Sequence, residues 1–239
     1  MDFYKKKNSS LTEADHDHAE WGDAWIWQAF DPITKLIIHA MIGKRTEQQA
    51  IVFLFGLAGK LSGSPPLYTS DELPHYKTGL AACYSSSIPV ALTGKRGRPK
   101  KPIFQIDPEL QYATVHKTRV NGRVVKAERR IVFGKEQDIN TILENSPVSK
   151  AINTSFVERN NLTLRQHSRR LNRKTNGFSK VMRNLEAQLI LVMAYYNFVL
   201  SHSSLKIKGK GERTPAMAAG LTNHKWSMTE LLTYRIPDN

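Results

Sequence analysis

Apolar and polar residues in the first part of the chain follow patterns that predict both strands and helices. Residues 23–30 and 35–42 are β-prone apolar runs separated by turn residues, which predicts a β-hairpin. Thr46 and Gln49 then form a capping box before an apolar segment. A capping box is typical of a helix start, so we expect a helix that continues to about Lys60.

The next strand is short and ends on an acid. Residues 67–70 predict this strand, Asp71 follows it directly, and residues 72–84 predict a helix. The order strand, strand, helix, strand predicts a mixed α/β core, and ligands of such sheets bind at the carboxyl ends of the strands. Asp71 therefore has two interpretations at this point: a ligand-binding acid, or the N-cap of the helix that follows.

The later part of the chain contains a second hairpin pattern and a long amphipathic helix. Residues 112–119 and 123–133 alternate, and the Asn121-Gly122 pair between them favours a tight hairpin turn. Residues 181–200 carry apolar side chains at every third or fourth position, which predicts a helix packed on the sheet. The apolar positions are Val181, Leu185, Leu189, Val192, Tyr196 and Val199.

These elements suggest three segments. Residues 1–84 are expected to form the N-terminal part of the α/β core, and residues 85–135 a basic linker with a β-hairpin insertion. Residues 136–239 are expected to form the C-terminal helical part. Within residues 85–135, we expect an extended linker from Ser85 to Pro102.

Composition narrows the class of protein. The 239 residues are 40% hydrophobic, which suffices for a core, and the single cysteine, Cys83, excludes an internal disulfide and a multi-cysteine zinc finger. No segment resembles a signal peptide or is apolar over the roughly 20 residues that a bilayer requires. We therefore expect a cytoplasmic protein with no membrane partner.

Phosphate-binding glycine loops, HExxH motifs and serine or cysteine nucleophile motifs are absent from the sequence.

The formal charge of +14 indicates a polyanionic partner. The excess of basic residues lies within residues 95–239, whereas residues 1–94 contain slightly more acids than bases. Because aromatic side chains are mixed with this basic surface, nucleic acid is the simplest partner. A basic surface that only aids solubility is the alternative.

A compact basic motif lies inside the expected linker. It has a Gly-Arg-Pro centre flanked by basic residues and resembles an AT-hook, which enters the minor groove of A·T-rich DNA. A flexible basic linker that contacts phosphates without sequence preference is the alternative. The DNA-binding candidates in this motif are Lys95, Arg96, Arg98, Lys100 and Lys101.

The second hairpin also carries basic residues, which we expect to share one face that lies along DNA or is simply solvated. These residues are Lys117, Arg119, Arg123, Lys126, Arg129 and Arg130. His116, in the first of the two strands, is expected to have no special role.

A lone acid, Glu158, lies in the most basic stretch of the chain. If Thr154 or Ser155 begins a helix, Glu158 falls in its first turns, where a negative charge suits the helix dipole. The functional alternative is a metal-binding carboxylate in a surface where arginines bind phosphates, with Asn161 and Arg165 on the same helix face. The basic candidates around it are Arg159, Arg165, Arg169, Arg170, Arg173 and Lys174.

Several of these motifs together resemble bacterial insertion-sequence transposases of the DDE class, the IS-one-like group. The resemblance covers nearly the whole chain, and the stretch around Glu158 is its most specific part; the stretches that carry it are residues 22–36, 69–72, 154–165, 175–180 and 214–221. The resemblance implies an RNase H-like mixed sheet with flanking helices, in which three carboxylates hold two Mg²⁺ ions. It also implies DNA transposition, with DNA ends and target as partners, a homo-oligomer on DNA and a nucleoid-associated location in a bacterium.

The resemblance assigns two of the three carboxylates. Asp71 matches the second and Glu158 the third, so both are expected to be catalytic and to bind Mg²⁺. Asn161 and Arg165 would then orient the acid or bind a phosphate.

The first carboxylate has no clear match. In the family it lies on the first core strand, before a lysine-rich connection, whereas this chain begins with Met1-Asp2 just before Lys5-Lys6-Lys7. Asp2 is the nearest acid, and Asp23 and Asp31 are interpreted as strand-end and turn residues. We also find no match to the N-terminal zinc-binding and helix-turn-helix portion of the family.

Two other functions stay open at this point. A chain without its first carboxylate would be a non-catalytic DNA-binding remnant or regulator of transposition. An RNase H-like nuclease unrelated to transposition is the third possibility.

Overall fold

The structure is a computed structural model that describes residues 2–4, 12, 22–88, 101–171, 176–177, 179, 181–209 and 211–235. Within this part of the chain the fold is mixed α/β, as predicted, with three sheets of which one combines parallel and antiparallel strands. The chain divides into two compact units. Unit 1 comprises Met1–Arg45 and Ser155–Asn239, and unit 2 comprises Thr46–Thr154. The three segments expected from the sequence stay a prediction.

The described elements follow in chain order. They are β1 (Asp2–Tyr4), β2 (Gly22–Phe30), β3 (Ile37–Gly43), α1 (Glu47–Ala58), β4 (Leu67–Asp71), α2 (Pro74–Cys83), β5 (Ser85–Ile88), β6 (Ile103–Ile106), β7 (Gln111–Val120), β8 (Arg123–Phe133), α3 (Glu136–Asn145), α4 (Ser155–His167), α5 (Met182–Ala194), α6 (Pro215–Ala218) and α7 (Met228–Thr233). A π-helical turn, Tyr195–Val199, continues α5. Among these described helices, none has the length and apolar character needed to cross a membrane.

Unit 1 is built on the first predicted hairpin. Its sheet has the order β1-β2-β3, and β2 and β3 are antiparallel, with Ile26 opposite Ile42 and Phe30 opposite Ile37. One side of this sheet packs on α4 and α5. The buried core residues are Ala24, Ile37, Ile42, Leu164, Leu171, Leu185, Leu189, Val192 and Tyr196.

The long amphipathic helix is largely as predicted. Four of its expected core residues, Leu185 to Tyr196 in steps of three or four, are buried. Val181 is different, because it is 49% exposed and has the extended backbone of an N-cap residue. Its expected place in the core is therefore wrong.

The turn between β2 and β3 is held by polar side chains. Asp31 accepts hydrogen bonds from the backbone N–H groups of Ile33 (2.9 Å) and Thr34 (3.1 Å), so it is a turn residue, as interpreted from the sequence. From the π-helical turn, the Asn197 amide donates to the carbonyl of Ile37 and accepts from its N–H group, both at 3.0 Å. These bonds fix the start of β3 against the end of the α5 segment.

Unit 2 contains the mixed sheet, in the order β4-β7-β8. β4 is parallel to β7, which is antiparallel to β8. The turn between β7 and β8 has Asn121 and Gly122 at φ 49° and 79°, the left-handed conformation that favours this residue pair. The core of this sheet contains Ala113, Val115, Ile139 and Ile152.

The expected extended linker from Ser85 to Pro102 is wrong at its beginning. Ser85–Ile88 forms β5, which pairs antiparallel with β6 so that Ser85 lies opposite Ile106 and Ile88 opposite Ile103. The short sequence Ser-Ser-Ser-Ile has no alternation to reveal a strand, and its partner is distant in the sequence. Residues 89–100 lie outside the described part of the chain.

Candidate functional site

Asp71 lies at the carboxyl end of β4 and is exposed. Asp71 lies opposite Val115 of β7. Because β7 is parallel to β4, the carboxyl ends of both strands lie at the same end of the sheet. The following helix, α2, begins at Pro74, and its N-cap is Leu73, which makes no side-chain capping bond. The alternative interpretation of Asp71 as the N-cap is therefore wrong, and its carboxylate lies where ligands of α/β sheets bind.

A network of charged groups lies next to Asp71 in unit 2. Glu72 contacts His116 Nδ1 at 2.5 Å and forms an ion pair with Arg130 Nη1 at 2.6 Å. Arg130 also donates from Nη2 to Glu128 at 2.9 Å, and Glu128 pairs with Lys126 at 2.5 Å. His116, expected to have no special role, is thus a partner of Glu72. The sequence did not reveal this network, because it depends on the parallel register of β4 and β7.

The network changes the charge of the second hairpin. Hydrogen bonds from Lys126 and Arg130 lower the pKa of Glu128 to about 2, so this exposed carboxylate stays ionised. Two of the basic residues expected to contact DNA are therefore already paired with acids. Any attraction of this strand for phosphates is weaker than the sequence suggests.

The expected single basic face of this hairpin is wrong. Neighbouring side chains of a strand point to opposite faces. Arg129 lies opposite the core residue Val115 and donates from Nε to the Ile152 carbonyl at 2.8 Å, whereas Arg130 lies opposite Thr114 and contacts Glu72. The two arginines therefore belong to different faces of the sheet.

In unit 1, Glu158 lies in the first turn of α4 and is exposed. The opposite side of this helix is anchored by Asn160 and Leu164, which are 3% and 2% exposed. Gln28 of β2 donates to the Asn160 side-chain oxygen at 2.6 Å, which joins α4 to the sheet. The buried anchor directs Glu158 and its neighbour Arg159 toward solvent, while Asn161 and Arg165 are partly buried.

The other predicted DNA-binding residues divide into two groups. Lys101, Arg169 and Arg170 are exposed, and Arg170 donates to the Ser179 hydroxyl at 3.1 Å. The remaining ones lie outside the described part of the chain, so the AT-hook-like motif stays a prediction; they are Lys95, Arg96, Arg98, Lys100, Arg173 and Lys174.

The donor chemistry of the two predicted catalytic acids fits magnesium. Carboxylates are hard oxygen ligands, and Mg²⁺ is commonly bound by one or two protein carboxylates, completed by water and substrate phosphates. Asp71 belongs to unit 2 and Glu158 to unit 1. In the described ranges, no group of three or more His, Cys, Asp or Glu side chains could hold a metal ion.

Among the acids considered for the first carboxylate, Asp31 accepts the backbone hydrogen bonds that hold its own turn, as described above. Asp23 is a partly buried residue of β2. Asp2 belongs to β1, and its side chain lies outside the description. The first carboxylate therefore stays without an assignment.

One basic residue near α4 had no signal in the sequence. Lys35, in the turn before β3, is buried, and its ammonium group lies 4.7 Å from the centre of the Phe156 ring. A lysine beside turn residues normally predicts an exposed side chain.

Comparison of the chain with protein-family models, with curated proteins and with solved structures gave no significant match.

Proposed function

We propose that this chain is the catalytic domain of a DNA transposase that binds DNA ends and, when its carboxylate set is complete, carries out Mg²⁺-dependent strand cleavage and transfer. The proposal is carried by one observation: the acid at the end of β4, Asp71, is exposed at a sheet edge and is not used as a helix cap. This is the position at which the resemblance to DDE transposases expects a catalytic carboxylate. Glu158, exposed in α4 among arginines, is the second such position.

The order of elements supports an RNase H-like core as part of this proposal. The three antiparallel strands of one sheet are followed by a helix, a strand that ends on Asp71, a second helix, the β5–β6 pair and then β7, which is parallel to β4 in a second sheet. This order agrees with the strand, strand, helix, strand pattern that predicted a mixed α/β core, and the RNase H-like arrangement of that core is what the resemblance implies.

Asp71 and Glu158 are each proposed as a carboxylate that binds Mg²⁺, as the resemblance implies. When bound, the metal would polarise the scissile phosphoryl group and make the attacking oxygen a better nucleophile. The protein residues would supply binding and orientation. Arg159 and Arg169 are exposed cations suited to backbone phosphates, and Arg165, two turns after Glu158, would hold a phosphate on the acid's side of α4. We propose that the protein acts as a homo-oligomer on DNA.

The proposal is tested with Asp71→Asn and Glu158→Gln, using DNA duplexes that carry the sequences flanking the gene at either end. Each variant should lose Mg²⁺-dependent strand transfer and keep its affinity for DNA, because only a carboxylate is replaced by its amide. Asp138→Asn on α3 and Glu186→Gln on α5 are matched exposed controls that should stay active. Unchanged transfer in either Asp71→Asn or Glu158→Gln would refute the assignment.

Two other outcomes would identify a different function. Salt-sensitive DNA binding without Mg²⁺-dependent nicking by the wild-type chain would indicate a non-catalytic DNA-binding regulator. Cleavage of RNA–DNA hybrids or branched DNA without a need for element ends would indicate an RNase H-like nuclease.

A further inference from the structure

The small sheet formed by β5 and β6 carries an exposed apolar surface. Every residue of β6 is exposed, with Phe104 at 69% and Ile103 at 60%, and Ile106 and Ile88 of β5 add to this surface. Within the described ranges, β6 pairs with β5 alone, so its other edge has no strand beside it. A sheet of two strands is marginal in water, and further strands with a hydrophobic face stabilise it.

The outer edge of β6 presents hydrogen-bonding groups at fixed positions. Asp107 donates its backbone N–H group to the Tyr84 carbonyl at 2.7 Å. Because backbone groups alternate between the two edges of an antiparallel strand, those of every second residue back to Ile103 face β5. The backbone groups of Phe104 and Ile106 therefore face outward. An open edge with apolar side chains is a template for another strand.

The sequence around β6 is complementary to itself when two copies run in opposite directions. Lys101 and Asp107 have opposite charges and each lies three residues from Phe104, on either side of it. If two copies of β6 pair antiparallel with Phe104 on the two-fold axis, each Lys101 lies opposite Asp107 of the second copy. The two ion pairs therefore arise together from one alignment.

The same alignment suits the backbone and the apolar side chains. Each Phe104 would exchange two hydrogen bonds with Phe104 of the second copy, and each Ile106 would donate to the Pro102 carbonyl of that copy. Pro102 has no N–H group, but it lies at the end of the paired stretch. Phe104 and Ile106 share one face of the strand, so both pairs of side chains would form one apolar cluster around the axis.

We propose that two copies of this chain form a symmetric dimer through β6, which joins their two-stranded sheets into one sheet in the order β5-β6-β6-β5. Backbone pairing and burial of Phe104 supply the affinity, whereas the exposed pairs of Lys101 with Asp107 mainly fix the alignment. The outward carbonyl groups of this edge repel phosphates, so a protein strand suits it better than DNA does.

This dimer assigns Lys101, a DNA-binding candidate in the sequence, to a contact between proteins. It would supply the homo-oligomer of the proposed function, but it forms without DNA and does not rest on that proposal. Asp71→Asn should therefore dimerise as the wild type does, whether or not the wild type transfers DNA strands. Failure of the transposase assignment and failure of the dimer are thus separate results.

The first test is self-association of the full chain without DNA, measured by analytical ultracentrifugation up to about 0.1 mM protein, where weak dimers are detected. Phe104→Ala should raise the dimer Kd by about tenfold or more, because each dimer loses two buried rings. Phe55→Ala is the matched control: Phe55, on α1 of the same unit, is 53% exposed, and its variant should keep the wild-type Kd. A monomeric wild type, or an unchanged Kd in Phe104→Ala, would overturn the proposal.

Exchange of charges tests the alignment. Lys101→Glu and Asp107→Lys should each weaken association by about threefold or more, since each places like charges opposite one another. An equimolar mixture of the two variants should associate more strongly than either alone, because every opposed pair then has opposite charges. A mixture that associates no better contradicts the alignment on Phe104. Circular dichroism checks folding, and if Asp107→Lys does not fold, Phe104→Ala decides the outcome.

Hydrogen exchange distinguishes a second copy from other occupants of the edge. The N–H groups of Phe104 and Ile106 should be protected at high protein concentration and exchange faster on dilution, because dilution separates only the two copies. Protection that is independent of concentration would show that another segment of the same chain covers β6, and the dimer would be wrong. Dimers that form only in the presence of DNA would also overturn the proposal.

Discussion

The amide of Asn197 is expected to contribute more to the stability of unit 1 than any exposed side chain. It makes two hydrogen bonds of 3.0 Å to the N–H and carbonyl groups of Ile37. Asn197 is 6% exposed and Ile37 is 2% exposed, so water has little access to these groups. Asn197→Ala would leave both backbone groups buried without their partner.

The expected loss of unfolding free energy follows from the unpaired N–H and carbonyl groups of Ile37. A buried polar group that loses its partner costs about 1–3 kcal/mol, so the variant, which leaves two such groups, should lose about 2–6 kcal/mol of unfolding free energy. A typical domain has only about 5–15 kcal/mol in total. The matched control is Asn184→Ala on the exposed side of α5, for which we expect a change within about 0.5 kcal/mol.

The assay is urea unfolding followed by tryptophan fluorescence. All four tryptophans, Trp21, Trp25, Trp27 and Trp226, belong to unit 1, so the signal reports on this unit. The urea midpoint should fall for Asn197→Ala with little change in the slope. A loss below about 1 kcal/mol would refute the reasoning, since Ile37 would then have other partners in the variant.

Four further predictions concern single residues. Burial raises the pKa of Cys83 to about 11, so iodoacetamide should modify this sole cysteine slowly at pH 8 and faster as the pH rises beyond 9, as measured by mass spectrometry. Lys126→Met should raise the pKa of Glu128 from about 2 toward 4.5, visible in a carboxyl NMR titration, and an unchanged value would contradict the assigned cause. Ser227 caps α7 by accepting from the Glu230 N–H group at 3.0 Å, and Ser227→Ala should cost about 1 kcal/mol in urea unfolding. Thr214, the fully buried cap of α6, should cost more when replaced by alanine, and the reverse order would contradict the role of burial.

Local chemistry explains which parts of the fold could be predicted. The capping box of Thr46 and Gln49 predicted the start of α1. In the structure the Thr46 hydroxyl accepts a hydrogen bond from the Gln49 N–H group at 3.4 Å. The Asn121-Gly122 pair predicted a tight turn, and both residues have the expected left-handed backbone conformation. Each of these signals depends on residues that are close in sequence.

Features that depend on distant pairing were missed. The strand β5 exists because it pairs with β6, and the contact of His116 with Glu72 exists because β4 and β7 are parallel. Burial of Lys35 likewise requires α4, which follows more than a hundred residues later in the chain. The sequence predicted where Asp71 and Glu158 lie in their elements but not the charged groups around them.

The division of the chain has a consequence for the order in which the protein folds during synthesis. Unit 2 interrupts unit 1, and about 110 residues separate the two parts of the latter. The β2–β3 hairpin therefore leaves the ribosome well before α4 and α5, which cover its apolar side. Unit 2 is continuous and can complete its sheet first. While unit 2 is still unfolded, closing so long a loop between the two parts of unit 1 costs roughly 2 kcal/mol more than closing a ten-residue loop.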